Sequence, residues 1–183
     1  MMRKLEGTIS AAILGAGLVL GTTPLAVSAA DKPGHAEREF ITKAASGGRM
    51  EVELGRYATT HAASDRVKQF GQRMVDDHTK ANDELKQVAD RQSVPLPSDM
   101  DRKDRETYTR LTKLNGAEFD RAYMKAMVED HEADVRLFRD ESRSAKDSDV
   151  KQFAAKTLPT LEDHLQMAKD IAAQPERRAA ASH

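Results

Sequence analysis

Three histidines in this sequence share a setting that suits metal binding. Each follows an aspartate directly, at His78, His131 and His164. Neutral imidazole is a good ligand for zinc, copper, iron and nickel, and a carboxylate supplies negative charge that balances the ion. Glu51 offers that carboxylate, because it falls on the apolar face of its own predicted helix. These four residues are the candidate metal ligands.

Further residues accompany each histidine. A methionine lies three or four positions away, and therefore on the same helical face. The methionines are Met74, Met127 and Met167. Their thioether sulfur favours Cu(I), although methionine is also common filler in helical cores. The preceding aspartates point about 100° away from their histidines, so each is a candidate acceptor for the ring N–H of a histidine on a neighbouring helix. They are Asp77, Asp130 and Asp163.

Four long helices are predicted to position these residues. Apolar side chains recur at intervals of three and four over about residues 37–62, 65–92, 117–143 and 149–173, a pattern that indicates helices with one buried face. Each candidate ligand lies on the buried face of a different helix. At a rise of about 1.5 Å per residue, Glu51, His78 and His131 are nearly level, and His164 is off by about 8 Å. They can therefore meet in the core of an antiparallel bundle, where metal sites of this architecture are built.

Local signals set the ends of these helices. Ser64 and Ser148 are predicted to be the N-caps of the second and fourth helices. The Gly47-Gly48 pair predicts a close approach or a kink in the first helix, and Pro159 predicts a kink in the fourth. A weaker helical segment, about residues 100–114, lies in the connection between the second and third long helices.

The sequence also repeats itself. Val67-Lys68-Gln69-Phe70 recurs as Val150-Lys151-Gln152-Phe153, and the run from Met74 to His78 is echoed between Met127 and His131. Two copies are too few for a solenoid. The repetition therefore predicts two related helical hairpins.

Composition excludes several classes of protein. Charged residues make up 32% of the chain, aromatic residues 4%, and cysteine is absent. This balance favours helix over a β-sandwich and rules out disulfides and thiol chemistry. A formal net charge of −1 gives no basic surface for nucleic acid. Nucleophile and phosphate-binding motifs are also missing, so the sequence favours a binding protein over an enzyme.

The N-terminus is typical of a secretory signal. Arg3 and Lys4 precede an apolar run, and Val27-Ser28-Ala29 presents small residues for cleavage. We therefore expect a signal peptide at residues 1–29, a disordered leader at 30–36, the bundle domain at 37–173 and a disordered tail at 174–183. The mature protein is expected in the periplasm or the medium, without a stable membrane anchor, because no second apolar span follows.

Several motifs resemble a large bacterial family, catalogued as domain-of-unknown-function family 4142. The motifs are Phe40 through Leu54, Met74-Val75-x-Asp77-His78-x-Lys80-Ala81-Asn82, Phe119-Asp120-x-x-Tyr123-Met124, Met127-Val128-x-Asp130-His131 and the run from Phe153 to Pro159. The similarity covers about residues 37–172. It implies an all-α, ferritin-like four-helix bundle with a short extra helical segment in one connection, and an exported location. It implies no established activity.

One departure from ferritin-like di-iron proteins bears on the metal. Those proteins use Glu-x-x-His motifs on two helices. Here the residues three positions before the histidines are Val75, Val128 and Leu161. A histidine-rich site for one ion is therefore favoured over an oxygen-activating di-iron centre.

The leading hypothesis is an exported bundle protein that binds a transition metal, copper or zinc before iron, and serves metal handling or envelope stress. The alternative is a structural or interaction module, with an unknown protein partner, in which the histidines form a buried polar network. In that case the methionines are core filler and the aspartates are surface charges.

Overall fold

The computed structural model describes residues 33–173, which form five helices and no strand. The helices are α1 (His35–His61), α2 (Asp65–Arg91), α3 (Arg102–Leu111), α4 (Gly116–Ser144) and α5 (Ser148–Ala172). The all-helical class is confirmed. The predicted signal peptide, most of the predicted leader and the predicted tail lie outside the described residues. Within residues 33–173, no helix is both long and apolar enough to cross a membrane.

Carboxylates set two helix ends differently from the prediction. Helix α1 begins at His35, inside the predicted leader, because Glu37 accepts the backbone N–H of Gly34 at 2.5 Å. The predicted Ser148 cap of α5 is wrong. The cap is Asp147, whose side chain accepts the N–H groups of Asp149 and Val150. A carboxylate one residue earlier reaches both donors, and Ser148 becomes the first helical residue.

The first hairpin is held by a close contact between α1 and α2. A Cβ at Gly55 would lie 2.6 Å from the carbonyl oxygen of Gly71, so only glycine permits this approach. Of the predicted pair, Gly47 faces open space and Gly48 abuts the Asn82 side chain. Helix α1 runs unbroken through that pair, because close packing against α2 compensates for the low helix propensity of glycine.

Cross-helix pairs show how the other helices run. Pairs between α2 and α5 are Arg91–Asp149 and Glu84–Lys156, and pairs between α4 and α5 are Arg139–Glu162 and Glu132–Lys169. In both sets the residue number rises on one helix as it falls on the other, so the contacting helices are antiparallel. Helices α2 and α4 consequently point the same way, and the long connection between them contains α3. Helix α5 is continuous across Pro159.

Each hairpin also caps the turn of the other. Asp120, near the start of α4, accepts the N–H groups of Ala63 and Ser64 at 3.1 and 2.9 Å. Ser64 does precede α2 as predicted, but its own side chain makes no capping hydrogen bond. Glu37, near the start of α1, accepts the N–H groups of the turn between α4 and α5, at Lys146 and Asp147. These contacts tie the two hairpins together at both ends.

Two apolar clusters fill the ends of the bundle. The Phe119 cluster includes Leu54, Phe70 and Tyr123. The Phe153 cluster includes Phe40, Leu85 and Phe138. Along every long helix, the candidate ligand lies between residues of these two clusters. The apolar packing therefore encloses a polar layer, made of Glu51, His78, His131 and His164, at mid-height.

Candidate metal centre

The structure brings the four predicted ligands together in this polar layer. Glu51 on α1, His131 on α4 and His164 on α5 are 0% exposed, and His78 on α2 is 5% exposed. The imidazole ring centroids are separated by 5.2 to 5.7 Å. One ring nitrogen of each histidine lies within 4.8 Å of the others. The height difference that residue counting assigns to His164 is therefore taken up by the packing of α5.

The tautomer of His131 follows from its backbone contact. Its Nδ1 lies 2.9 Å from the carbonyl oxygen of Met127, one turn earlier on α4. A carbonyl oxygen only accepts, so Nδ1 carries the proton and Nε2 keeps its lone pair. Nε2 then points toward Glu51, with 3.3 Å between Nε2 and Oε1.

The other two histidines are oriented by carboxylates. His164 Nε2 donates to Asp77 Oδ2 over 3.0 Å, which leaves Nδ1 as an acceptor. His78 Nδ1 lies 2.8 Å from Glu51 Oε2, within ion-pair distance but without hydrogen-bond alignment, so this contact does not fix the tautomer of His78. Such carboxylate and carbonyl partners on the outer nitrogen fix the orientation of metal-binding histidines in known sites.

Three buried nitrogens remain without a hydrogen-bond partner among the described residues. They are His78 Nε2, His131 Nε2 and His164 Nδ1. In His131 and His164 this is the atom that the hydrogen bonds above leave with a free lone pair. In a tetrahedral site, bonds of about 2.0–2.1 Å to zinc put ligand nitrogens roughly 3.3 Å apart. One ring nitrogen of each histidine already lies within 4.8 Å of the other two, so closing these nitrogens to that spacing requires each ring to move by at most about 1 Å. The residues present fit a metal ion.

The Glu51 carboxylate is equally short of partners. Both of its oxygens lack a hydrogen-bond donor in the described part of the chain. His78 is near enough for an ion pair, but its N–H is not aligned as a hydrogen bond. The Tyr123 hydroxyl, which feels the charge of Glu51, is also buried and unpartnered. Glu51 is therefore available to a cation or to a proton.

Burial favours the neutral forms of these groups when no metal is bound. It lowers the pKa of His78 and of His164 to about 4, and that of His131 well below its usual value. It also raises the pKa of Glu51 well above its usual range, and the nearby Asp130 carboxylate adds to this shift. A metal needs neutral imidazole and ionised carboxylate, so the histidines are ready to bind while Glu51 must first lose a proton.

The accessory residues have different surroundings. Asp77 accepts from His164, as the predicted outer partner of a histidine does. Asp130 is half-buried beside Glu51, and Asp163 is exposed. Met74 and Met127 are buried in the Phe119 cluster, and Met167 packs against it. Among the three methionines, Met127 reaches a histidine through its backbone carbonyl.

A second group of acidic oxygens was not predicted. Carboxylate oxygens of Glu51, Asp130 and Asp134 all lie within 4.8 Å of one another. Asp134 lies one turn after His131, on a stretch of α4 that is rich in charge, and resembles an ordinary surface residue. The signal that could have identified it is its i+3 spacing from a predicted ligand and its i+4 spacing from Asp130.

Comparisons with known proteins support the fold. The sequence model of the family described as Domain of unknown function (DUF4142) matches residues 22–171, which confirms the predicted resemblance. The chain is also similar to the crystal structure of a "putative secreted protein DUF305" from Streptomyces coelicolor. That likeness has a TM-score of 0.64 and 14% identity, and covers 76% of this chain and 93% of that chain. At such low identity it supports the helical-bundle fold alone. No curated protein matches the chain.

Proposed function

Since this chain belongs to the family described as Domain of unknown function (DUF4142), its activity must be inferred from its own residues, and we propose that it binds a transition-metal ion through His78, His131, His164 and Glu51. The observation that carries the proposal is the set of three bare imidazole nitrogens. A buried polar atom without a partner costs about 1–3 kcal/mol. One cation would satisfy all three at once.

The contact between His131 and Glu51 supports the same proposal. Two acceptors, the Nε2 lone pair and a carboxylate oxygen, face each other over 3.3 Å. They repel unless a positive charge lies between or beside them. That charge is either a proton on Glu51 or a metal ion, and a metal ion would also use the lone pairs of His78 and His164.

The donor set indicates which ion binds. Three imidazoles and one carboxylate suit zinc or copper before iron. The methionines lie within or against the Phe119 cluster, so the selectivity rests on nitrogen and oxygen. The protein would serve metal handling or envelope stress by holding the ion in a closed core.

We also propose that the protein is exported and that its bundle is ferritin-like. The predicted signal peptide supports export, and the neighbour from Streptomyces coelicolor is described as secreted. The single long connection between α2 and α4 supports the ferritin-like arrangement, in which one long connection crosses the bundle.

The test is metal retention and its effect on stability. The protein, expressed from the full chain, is stripped of metal, equilibrated with zinc, copper or iron salts, desalted and assayed for metal. We expect near-stoichiometric zinc or copper, and a stabilisation of about 2.7 kcal/mol at a hundredfold excess over Kd. A His78/His131/His164 triple-alanine variant should lose both effects. His35→Ala removes an exposed histidine and should keep both.

A second candidate is the metal-free polar network of a structural or interaction module. The raised pKa of Glu51 favours it, because a protonated Glu51 can donate its O–H to His131 Nε2. Core polar networks of this kind can fix a unique packing. A folded parent protein that retains no metal would establish this candidate and refute the first.

A further inference from the structure

We propose that the core holds a second cation position, formed by Glu51, Asp130 and Asp134 and sharing Glu51 with the three histidines. The inference rests on the proposed function, because it assigns the Glu51 carboxylate a place between two ions. It would make the protein a carrier of two adjacent ions with different ligand preferences.

The first observation is the convergence of carboxylates from two helices. Oxygens of Glu51 on α1 and of Asp130 and Asp134 on α4 lie within 4.8 Å of one another. Asp130 Oδ2 is fully buried and has no hydrogen-bond partner among residues 33–173. Exposed carboxylates often cluster without a ligand, but here Glu51 is fully buried and Asp130 and Asp134 are half-buried.

The second observation is an unpartnered group that points into this cluster from the histidine side. His131 is 0% exposed, and its Nε2 has no hydrogen-bond partner in the described residues although it lies 3.3 Å from Glu51 Oε1. Glu51 therefore has a bare nitrogen on one side and bare carboxylate oxygens on the other. A carboxylate has two oxygens, so one residue can bind an ion on each side.

Space for a ligand exists beside the shared carboxylate. A cavity of about 20 Å³ has Glu51, His78 and Asp134 in its lining, together with Asn82, Thr157 and apolar residues that include Phe138 and Phe153. About 10–15 Å³ is enough for one water molecule. The cavity can therefore hold a water molecule that completes the coordination of a cation bound to the acidic side.

The local charge balance also favours a cation. Asp104, at the start of α3, adds a further carboxylate near Asp130 and Asp134, and Lys103 is the neighbouring cation that acts on them. One ammonium does not balance four ionised carboxylates, so a cation would be needed to hold all four in the ionised form. Oxygen-only ligands suit hard ions such as Mn²⁺, whereas the imidazole side suits zinc or copper. Mn²⁺ is therefore the probe for the acidic position and Zn²⁺ for the histidine position.

The experiment counts both ions in one protein. The metal-stripped protein, expressed from the full chain, receives one equivalent of Zn²⁺ and then excess Mn²⁺, and is desalted and assayed for both metals. We expect one zinc and one manganese per chain, with the Mn²⁺ electron paramagnetic resonance signal changed from that of the free ion. Asp134→Asn and Asp130→Asn should each keep zinc and lose manganese. Asp140→Asn, an exposed aspartate on the same helix, should keep both.

The outcomes separate this inference from the proposed function. Zinc without manganese in the folded parent would overturn the second position and leave the histidine site standing. Manganese that survives both Asp134→Asn and Asp130→Asn would also overturn it, since the ion would lie elsewhere. Neither metal in the parent would overturn both. Circular dichroism shows whether each variant keeps its helices. If one variant is unfolded, the inference is judged from the other variant and from the amounts of zinc and manganese per chain in the parent protein.

Discussion

The apolar ends of the bundle and its polar middle differ in how well their atoms are satisfied. In the Phe153 cluster, the rings of Phe40, Phe138 and Phe153 meet at centroid distances of 5.0 to 6.3 Å, in edge or tilted contacts that aromatic pairs prefer. In the polar layer, Glu51 and three imidazoles leave atoms bare. Both regions are buried, but only the polar layer contains atoms that lack the partners they need.

The difference separates the apolar packing that stabilises the fold from the polar residues that the proposed function uses. Apolar packing gains free energy from each buried side chain. A buried polar set is often no more stable than an apolar replacement of similar volume. A chain selected for stability alone would therefore extend the apolar clusters through the middle, and the unpartnered polar atoms of the layer are what supports the proposed metal ion.

The largest predicted effect comes from comparing a substitution in the Phe153 cluster with one in the polar layer. Phe153→Ala should lower the free energy of unfolding by about 3–5 kcal/mol, because it opens a cavity in an aromatic cluster. Glu51→Gln should change the stability of the metal-free protein by about 1 kcal/mol or less, since its amide can donate to His131. Metal binding should respond in the opposite way, with retention in folded Phe153→Ala and loss in Glu51→Gln.

Urea unfolding of stripped protein and metal assay of desalted protein measure these two responses. The comparison breaks if Glu51→Gln destabilises the metal-free protein as much as Phe153→Ala does. Glu51 would then be a structural residue first.

A second prediction concerns the pH dependence of the metal-free protein. His78, His131 and His164, whose folded pKa values are lowered, make the protein less stable as pH falls from about 6.5 toward about 4. Glu51, Asp130 and Asp134, whose folded pKa values are raised, Asp130 to about 6, make the protein less stable as pH rises above their unfolded values, near 4. The two trends oppose each other between about pH 4.5 and 6.5, so stability should be nearly flat there.

Above about pH 6.5 the histidines no longer change, and the carboxyl groups act alone. Stability should then fall by about 1.4 kcal/mol per pH unit for each carboxyl group that stays protonated in the folded state. Metal should abolish this decline, because the ion replaces the protons. Chemical denaturation across pH 4.5–8, with and without zinc, is the measurement. If stability is lost only as pH falls, and stays constant above about pH 6.5, Glu51 is ionised in the folded protein.

The smallest predicted effect tests a helix cap outside both regions. Asp147→Ala should cost about 1 kcal/mol, because two backbone N–H groups at the start of α5 lose their acceptor. Ser148→Ala should cost little, since Ser148 is an exposed first helical residue. Thermal melting of the two variants makes the comparison, and equal losses would restore Ser148 as the cap.

The three aspartates that precede the histidines show what sequence can and cannot predict. Helical periodicity places His78, His131 and His164 inward, and the structure agrees. The aspartates share one sequence context but differ in what covers them. Asp77 meets His164 on α5, Asp130 is half-buried and feels the charges of the N-terminal turn of α3, and Asp163 faces solvent. The burial and contacts of each aspartate depend on which helix packs beside it, and local sequence spacing does not specify that.

The position of α3 explains much of what sequence analysis missed. Its N-terminal turn is tied to Ser46 on α1. The Ser46 hydroxyl donates to the Asp104 carboxylate, and the Ser46 hydroxyl oxygen accepts the Asp101 N–H. This contact brings charges of α3 close to Asp130 and Asp134. The helical segment itself was predicted from residues 100–114, but its docking depends on contacts more than fifty residues apart, for which the sequence holds no periodic signal.

The reciprocal carboxylate caps have a consequence for how the chain assembles. Asp120 completes a turn 57 residues before it, and Glu37 completes one 109 residues after it. Neither turn is capped until both hairpins are in contact, so these caps depend on the docking of the two hairpins. A solitary hairpin has one uncapped turn and one carboxylate oxygen that lacks its partner in the other hairpin, and these complement the uncapped turn and the carboxylate of the other. The two hairpins therefore complement each other at both turns, as two subunits of a dimer joined by a tether would.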